Sequence, residues 1–167
     1  MAQSDRTIYV VDSSSWISIE GNPAQNRILY HLGVLIERGQ IRCPPQVWSE
    51  LERCEQVLAW VKPQRKQIVQ NLRTRLKFLQ TLGAVTGKFP AMSGARGRRN
   101  KADPYVVAHA VYVNETENPS KCVVVCDETL ARRPNRKLPT ACKAFGVESL
   151  SLMEMLAREF AEEDWEG

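Results

Sequence analysis

The chain has 167 residues, of which 43% are hydrophobic and 25% charged, with a formal net charge of +4 at pH 7. These values are typical of an ordinary globular protein with one domain and a sizeable core. The longest apolar runs, such as residues 8–11 and 123–126, are far too short to cross a bilayer, and no signal-peptide pattern is visible. We therefore expect a single cytoplasmic domain over residues 1–167.

The first third of the chain predicts two strands separated by a helix. Residues 7–11 are β-rich and nearly all apolar, as in a central parallel strand that is buried on both faces. This strand ends at Asp12, and the serines at 13–15 that follow favour a turn. A helix is predicted from Pro23 to Gly39, and a short strand at 41–43 comes after it.

The middle of the chain predicts helices and one loop. A helix after Pro44 and Pro45 carries Trp48 and Glu50, and residues 57–60 are predicted to continue it. Apolar residues at steps of three and four predict a further helix over 64–82. Residues 86–101 contain three glycines and a proline, which is typical of a mobile loop.

The last third predicts a helix, a strand, a second strand and a final helix. Asp103 and Pro104 begin the first helix, and residues 122–126 form an apolar strand that ends at Asp127. A strand at 147–150 leads to a helix that Ser151 and Glu154 cap together. Because strands alternate with helices, the predicted fold class is an α/β sandwich with a central, mostly parallel sheet flanked by helices.

Cysteine and histidine usage bears on the compartment and on the type of site. The number of cysteines is five, which is odd, and no C-x-x-C pair occurs, so buried thiols in a reducing compartment are the simplest interpretation. Only two histidines are present, His31 and His109. This scarcity argues against a zinc site or a histidine-based site.

The positive charge is concentrated in the middle of the chain. No acidic residue occurs between Glu55 and Asp103, whereas the C-terminus is acidic. A one-sided basic segment would attract a polyanion and contact its phosphates, although a solvated basic helix face explains the charge equally well. The basic residues are Lys62, Arg65, Lys66, Arg73, Arg75, Lys77, Lys88, Arg96, Arg98, Arg99 and Lys101.

Four acidic residues are placed where a parallel sheet collects its functional groups. Asp12 and Asp127 follow apolar strands at their carboxyl ends, Asp103 begins a helix, and Glu50 lies on the helix after the second strand. If these four converge, their mutual repulsion requires a cation. Carboxylate oxygens are the ligands of hard cations such as Mg²⁺ or Mn²⁺, which activate water against phosphodiesters.

Each acid also has a purely structural interpretation. Asp103 before Pro104 is a common helix N-cap pattern, and Asp12 can begin a turn. Glu50 lies close to other acids and can face solvent. Either Asp127 or the adjacent Glu128 could turn inward.

Two segments in the first third resemble motifs of the PIN-domain ribonuclease superfamily. The first is an apolar strand that ends in Asp12, with the hydroxyl residue Ser14 two positions on. The second, residues 47–51, is a helix that carries one acid, Glu50, after a strand exit that contains proline.

Two later segments are similar to the remaining motifs of the same superfamily. In residues 102–110, the most specific of the four, Asp103 opens a helix with small residues towards its end; in residues 123–128 a strand ends in an acid. The resemblance extends from Thr7 to about Leu152. Residues 58–60 and 138–142 are similar to a poorly characterised, toxin-like branch of bacterial PIN proteins.

The resemblance implies a PIN-like three-layer sandwich and a metal-dependent endoribonuclease, commonly the toxin of a toxin–antitoxin pair. Asp12, Glu50, Asp103 and Asp127 would be catalytic, with Mg²⁺ or Mn²⁺ held by the three aspartates and Ser14 steadying the site. Many toxin members have a hydroxyl residue two positions before the fourth acid and an aromatic one soon after it. Val125 and Leu130 stand there in this chain, so Asp127 and Glu128 both remain candidates.

Further expectations concern partners. Arginines and a lysine before the third motif, and arginines after the fourth, would contact the RNA backbone. A cognate antitoxin and a homodimer are implied by the resemblance alone. The basic residues expected to contact RNA are Arg96, Arg98, Arg99, Lys101, Arg132, Arg133 and Arg136.

The alternative is a PIN-like module without catalysis that binds nucleic acid or protein. A phosphoryl-transfer enzyme with Asp12 as nucleophile is disfavoured, because such enzymes usually need a second Asp two residues on, where this chain has Ser14. A dinucleotide-binding domain is disfavoured because no glycine-rich turn follows the first strand.

Overall fold

The computed structural model describes residues 6–93, 102–117, 120–127 and 138–162. At its centre is a four-stranded, all-parallel sheet with the strand order β2-β1-β3-β4. The strands are β1 (Thr7–Val11), β2 (Ile41–Arg42), β3 (Lys121–Val125) and β4 (Glu148–Leu150). The predicted α/β class with a mostly parallel sheet is confirmed, and it is consistent with a PIN-like three-layer sandwich.

Helices flank this sheet. They are α1 (Ser13–Ile19), α2 (Gln25–Glu37), α3 (Pro45–Glu50), α4 (Glu55–Val61), α5 (Arg65–Ile68), α6 (Leu76–Lys88), α7 (Asp103–Thr116), α8 (Leu138–Ala144) and α9 (Leu152–Glu159). Short 3₁₀ turns lie at Leu51–Arg53, Lys62–Gln64 and Pro90–Ser93. No helix in the described ranges is both long and apolar enough to cross a membrane.

The two central strands form the middle of the core. Residues 8–11 of β1 and 122–125 of β3 are fully buried, as their nearly continuous apolar sequences predict for strands covered on both faces. The register pairs Val11 with Val125, and the N–H of Asp12 donates to the carbonyl of Val125 at 2.8 Å. This register brings Asp12 and the residues after β3 to the same edge of the sheet.

The predicted turn at residues 13–15 is wrong, because these serines form the first turn of α1. Asp12 is the N-cap: its backbone is extended, and its carboxylate accepts a hydrogen bond from the N–H of Ser14 at 3.1 Å. A capping aspartate satisfies an N–H that has no partner within the helix. A short helix therefore starts where serine-rich sequence alone favours a turn.

The single helix predicted over 64–82 is also wrong, because Val69 interrupts it. Val69 is extended and forms a parallel bridge with Cys43. The N–H of Cys43 donates to the carbonyl of Ile68 at 2.8 Å, and the N–H of Gln70 donates to the carbonyl of Cys43 at 3.1 Å. Pairing with the edge of the sheet therefore outweighs the helical periodicity of the segment, and α6 begins only at Leu76.

The predicted loop at 86–101 begins later than expected. Residues 86–88 still belong to α6, and a 3₁₀ turn follows at Pro90–Ser93; residues 94–101 lie outside the described part of the chain. The start of α7 matches the prediction, although Ala102 rather than Asp103 occupies the N-cap position.

Two other predictions are confirmed. Ser151 and Glu154 form the expected capping box at the start of α9. All five cysteines are buried thiols.

Candidate acidic site at the carboxyl edge of the sheet

Asp12 is the most buried of the four predicted acids. Its side chain lies at the end of β1, and the residue is 2% exposed. Burial first, and then the nearby charge of Glu50, raise the pKa of its carboxyl group from 3.8 to about 6, against the opposing effect of hydrogen bonds from Ser14 and from the Ser13 backbone. The charged form of Asp12 is thus poorly solvated by the protein alone.

Ser14 connects Asp12 to the fourth motif. Its hydroxyl donates to Oδ2 of Asp12 at 2.7 Å and accepts the N–H of Asp127 at 3.0 Å. The hydroxyl therefore acts as donor and acceptor at once, as the chemistry of serine allows. The resemblance assigned Ser14 a supporting role, and this geometry is compatible with that role.

Glu50 connects the first motif to the third. Its carboxylate accepts a hydrogen bond from the hydroxyl of Ser13, and its Oε1 accepts the N–H of Ala102 at 3.0 Å. Glu50 therefore faces inward rather than into solvent. Because Ala102 immediately precedes α7, the same bond holds the start of that helix, and with it the backbone of Asp103, beside the N-terminus of α1.

Asp103 is the first residue of α7 and is partly buried. The described contacts of its neighbour Ala102 bring its backbone close to Glu50. The helix dipole also favours a carboxylate in the first turn of a helix, so the position of Asp103 can be explained without a bound ligand.

Asp127 is held by two other parts of the chain. Its carboxylate accepts a hydrogen bond from the hydroxyl of Ser15, and it accepts the N–H of Leu152, at the start of α9, at 3.2 Å. Asp127 therefore joins α1 to α9 across the edge of the sheet. Of the two candidates for the fourth acid, Asp127 points to this cluster, and Glu128 lies outside the described residues.

The structure thus brings Asp12, Glu50 and Asp127 around the serines that begin α1. Sequence reasoning missed the roles of Ser13 and Ser15, each of which binds a different predicted acid. The signal that could have found them is the run of three hydroxyl residues directly after a strand that ends in aspartate. Hydroxyl side chains can accept hydrogen bonds from the free N–H groups at the positive, N-terminal end of a helix. The same hydroxyls can donate hydrogen bonds to acidic neighbours.

One oxygen atom of Asp12 is a candidate ligand for a cation. Oδ1 of Asp12 is buried and has no hydrogen-bond partner among the described residues. A buried, unpaired carboxylate oxygen is unfavourable unless something satisfies it, and a hard divalent cation binds such oxygens. The donors nearby are carboxylates and hydroxyls, a set that suits Mg²⁺ or Mn²⁺ and not zinc.

The predicted acids are not arranged around one point in the described part of the chain. Within the described ranges, no three acidic, histidine or cysteine side chains are arranged to hold a metal ion together. Asp127 is instead turned towards Ser15 and Leu152. A cation shared with Asp12 would therefore require the Asp127 side chain to turn away from these two donors.

The basic residues that were predicted to contact RNA lie outside the described residues. They are Arg96, Arg98, Arg99, Lys101, Arg132, Arg133 and Arg136.

Comparison with known proteins places the chain in one family. No curated protein matches it, and no solved structure matches it. A family model described as a domain of unknown function, DUF4411, matches residues 9–162, a range that contains all four predicted acids and every helix from α1 to α9. The chain therefore belongs to the DUF4411 family.

Proposed function

We propose that this protein is a metal-dependent endoribonuclease. The observation that carries the proposal is the environment of Asp12: a buried carboxylate beside Glu50, with a raised pKa and one oxygen without a partner. To cap α1, Asp12 needs only one of its two carboxylate oxygens, and Oδ2 already accepts the hydrogen bonds from Ser14. The second oxygen is left for a ligand.

The residues proposed to hold the cation are Asp12, Asp103 and Asp127, with Glu50 bound directly or through water. Mg²⁺ or Mn²⁺ at this position would neutralise the carboxylates and lower the pKa of a bound water. Reorientation of Asp127 away from Ser15 is part of the proposal. The hydrogen bonds of Ser14 to Asp12 and to the N–H of Asp127 would keep both acids at the sheet edge during that change.

The remaining elements of the proposal come from sequence. RNA is the proposed substrate because the residues resemble PIN-domain motifs, and because no acid interrupts the basic segment between Glu55 and Asp103. Arg96, Arg98, Arg99, Lys101, Arg132 and Arg133 would contact its phosphates. A cytoplasmic location, a cognate antitoxin and a homodimer belong to the same proposal and depend on the resemblance alone.

The test combines metal binding with cleavage. Asp12→Asn and Asp103→Asn should each abolish Mn²⁺ binding, measured by calorimetry, and reduce the cleavage of a labelled single-stranded RNA by at least roughly 100-fold. Asparagine is a good N-cap, so the Asp12 variant should keep α1 and the fold. Lys143→Ala, which removes an exposed charge on α8, is the matched control. Full cleavage by either asparagine variant would refute the proposal.

A second candidate is a binding module of the same fold without catalysis. It is favoured by the contacts of Asp127, whose carboxylate already has protein donors from Ser15 and Leu152. On this hypothesis RNA binds equally well with EDTA or Mn²⁺, and no cleavage occurs at any metal concentration. Ser15→Ala separates the two: it frees Asp127 and should raise metal affinity in a nuclease, but should change nothing except stability in a binding module.

A further inference from the structure

A cleft on the far side of α3 is not used by the acidic site. It has a volume of about 540 Å³ and is lined by Trp48, Leu58, Lys62, Pro63, Arg65 and Lys66. Trp48 and Glu50 are two residues apart on α3, and such residues point to nearly opposite sides of a helix. Glu50 faces Ser13, so Trp48 faces away from the acidic cluster.

The lining of the cleft combines an aromatic wall with positive charge. The guanidinium of Arg65 lies over the face of the Trp48 ring, 5.1 Å from its centre. Lys62, Arg65 and Lys66 are exposed, and none of the three has an ion-pair partner among the described residues. The chain supplies no acid from 56 to 102, so nothing in this segment neutralises them.

The apolar part of the cleft is built into the fold. Trp48 and Leu58 are partly buried and pack against the main core, so the indole is held in a defined position. A fixed indole is a stacking platform for a planar group, and the Arg65 guanidinium that lies over it would move to the outer face of a bound base. Three cations at the rim suit a phosphate.

We propose that this cleft binds one nucleotide, with its base against Trp48 and its phosphate among Lys62, Arg65 and Lys66. The volume lies within the range of small-molecule sites. An acidic peptide would satisfy the cations but offers no planar group to take the place of the guanidinium over the indole, which is why a nucleotide fits better. The nucleotide is a unit of a single-stranded RNA that also reaches the acidic site, and in this respect the inference rests on the proposed function.

Binding is measured without cleavage, so that the two proposals can fail separately. The probe is a fluorescein-labelled single-stranded RNA of 12 nucleotides, titrated by fluorescence anisotropy in EDTA with the full chain. Trp48→Leu should weaken binding roughly 5- to 150-fold, the range found when an aromatic stacking partner of one base is removed. Trp48→Phe, which keeps an aromatic face, should recover most of the affinity.

The positive charges at the rim of the cleft are tested through the salt dependence of RNA binding. Lys62→Glu with Lys66→Glu should weaken binding and lower the slope of log Kd against log salt by roughly 1.4, since each phosphate contact with a single strand contributes about 0.7. Trp48→Leu should leave that slope unchanged. Lys143→Glu, which reverses an exposed charge on α8 away from the cleft, is the control and should change neither value as strongly.

Two further titrations identify the source of the ligand. Adenosine monophosphate that binds as tightly as the RNA, and depends equally on Trp48, would assign the cleft to a free nucleotide. A poly-glutamate peptide that displaces the RNA at equal concentration would refute the nucleotide, as would RNA affinity that is unchanged in folded Trp48→Leu and in the double glutamate variant. Loss of cleavage in Asp12→Asn with intact, Trp48-dependent binding would leave this inference standing.

Discussion

Asp12 and Asp127 are linked through a single hydroxyl group. The Oγ of Ser14 donates to the carboxylate of Asp12 at 2.7 Å and accepts the backbone N–H of Asp127 at 3.0 Å. The backbone of the same region is joined by the bond from the N–H of Asp12 to Val125. The ends of the two central strands are therefore connected by both main-chain and side-chain hydrogen bonds, and the geometry of either acid depends on the other.

Ser14→Ala tests this link. The substitution leaves the N–H of Asp127 without its acceptor and removes one donor from Asp12, so we expect a loss of about 1–2 kcal/mol in the free energy of unfolding. Cleavage should fall roughly 10- to 100-fold, as is typical when a residue that orients metal ligands is removed. Urea denaturation and initial cleavage rates at saturating Mn²⁺ measure the two effects.

Ser14→Thr is the matched control, because threonine keeps the hydroxyl. It should retain most of the stability and of the activity. If Ser14→Ala lost stability but cleaved RNA at the wild-type rate, the hydroxyl would be a structural link only.

Glu50 offers a comparison between charge and hydrogen bonding. Glu50→Gln keeps an oxygen for the N–H of Ala102 and an amide group for the hydroxyl of Ser13, so the fold should be preserved. The charge is lost, and we expect cleavage to fall roughly 100-fold. Glu50→Ala removes both contacts and should in addition destabilise the protein by about 1–3 kcal/mol.

Hydrogen exchange of the Ala102 amide distinguishes these variants. Protection should persist in Glu50→Gln and disappear in Glu50→Ala, because only the second lacks an acceptor. Equal cleavage by wild-type protein and Glu50→Gln would show that the charge of Glu50 has no part in catalysis.

The raised pKa of Asp12 predicts a pH dependence of stability in EDTA. Because burial raises this pKa from 3.8 to about 6, the folded state binds the proton more tightly than the unfolded state. The stabilisation is complete below pH 4 and is lost as the pH rises through 6, a change of about 3 kcal/mol. Asp12→Asn lacks this loss and should have a higher Tm than wild type at pH 7.

Added metal provides the complementary measurement. Mn²⁺ at millimolar concentration should raise the Tm of the wild-type protein at pH 7 and leave that of Asp12→Asn unchanged. An identical shift in both proteins would mean that the ion binds elsewhere.

His109 predicts a pH effect of opposite sign. Burial first, and then the positive charge of Arg42, lower the pKa of His109 from 6.5 to about 3. The unfolded state therefore binds the proton more tightly, and stability that is present above pH 6.5 is lost as the pH falls towards 3. His109→Gln should flatten this part of the profile, measured by urea unfolding between pH 4 and 7.

The two groups oppose each other between pH 4 and 6, so the wild-type profile should be shallow there. Asp12→Asn should expose the loss of stability on acidification that His109 causes. A profile for Asp12→Asn that remains flat down to pH 4 would contradict the assignment to His109, whose Nε2 bonds to Gln70 at 2.9 Å.

Much of the fold follows from local sequence. The strands β1 and β3 are apolar and rich in β-branched residues, a pattern typical of central parallel strands, and the capping box of α9 is readable from Ser151 and Glu154. The interruption of the predicted helix at Val69 cannot be read from the sequence, because apolar residues continue at helical spacing through that position. The bridge to Cys43 is a contact between residues distant in sequence, and only the folded chain supplies it.

The sequence by itself determined the α/β class and the placement of Asp12 and Asp127 at strand ends, because short apolar runs that alternate with helical patterns are local features of the chain. Only the tertiary structure decided that Glu50 turns inward to Ser13 and Ala102 and that Asp127 bonds to Ser15 and Leu152. It also left one oxygen of Asp12 buried and unpaired among the described residues. The physical reason is that hydrogen-bond partners and burial depend on how helices from distant parts of the chain meet at the sheet edge, and no local pattern encodes that meeting.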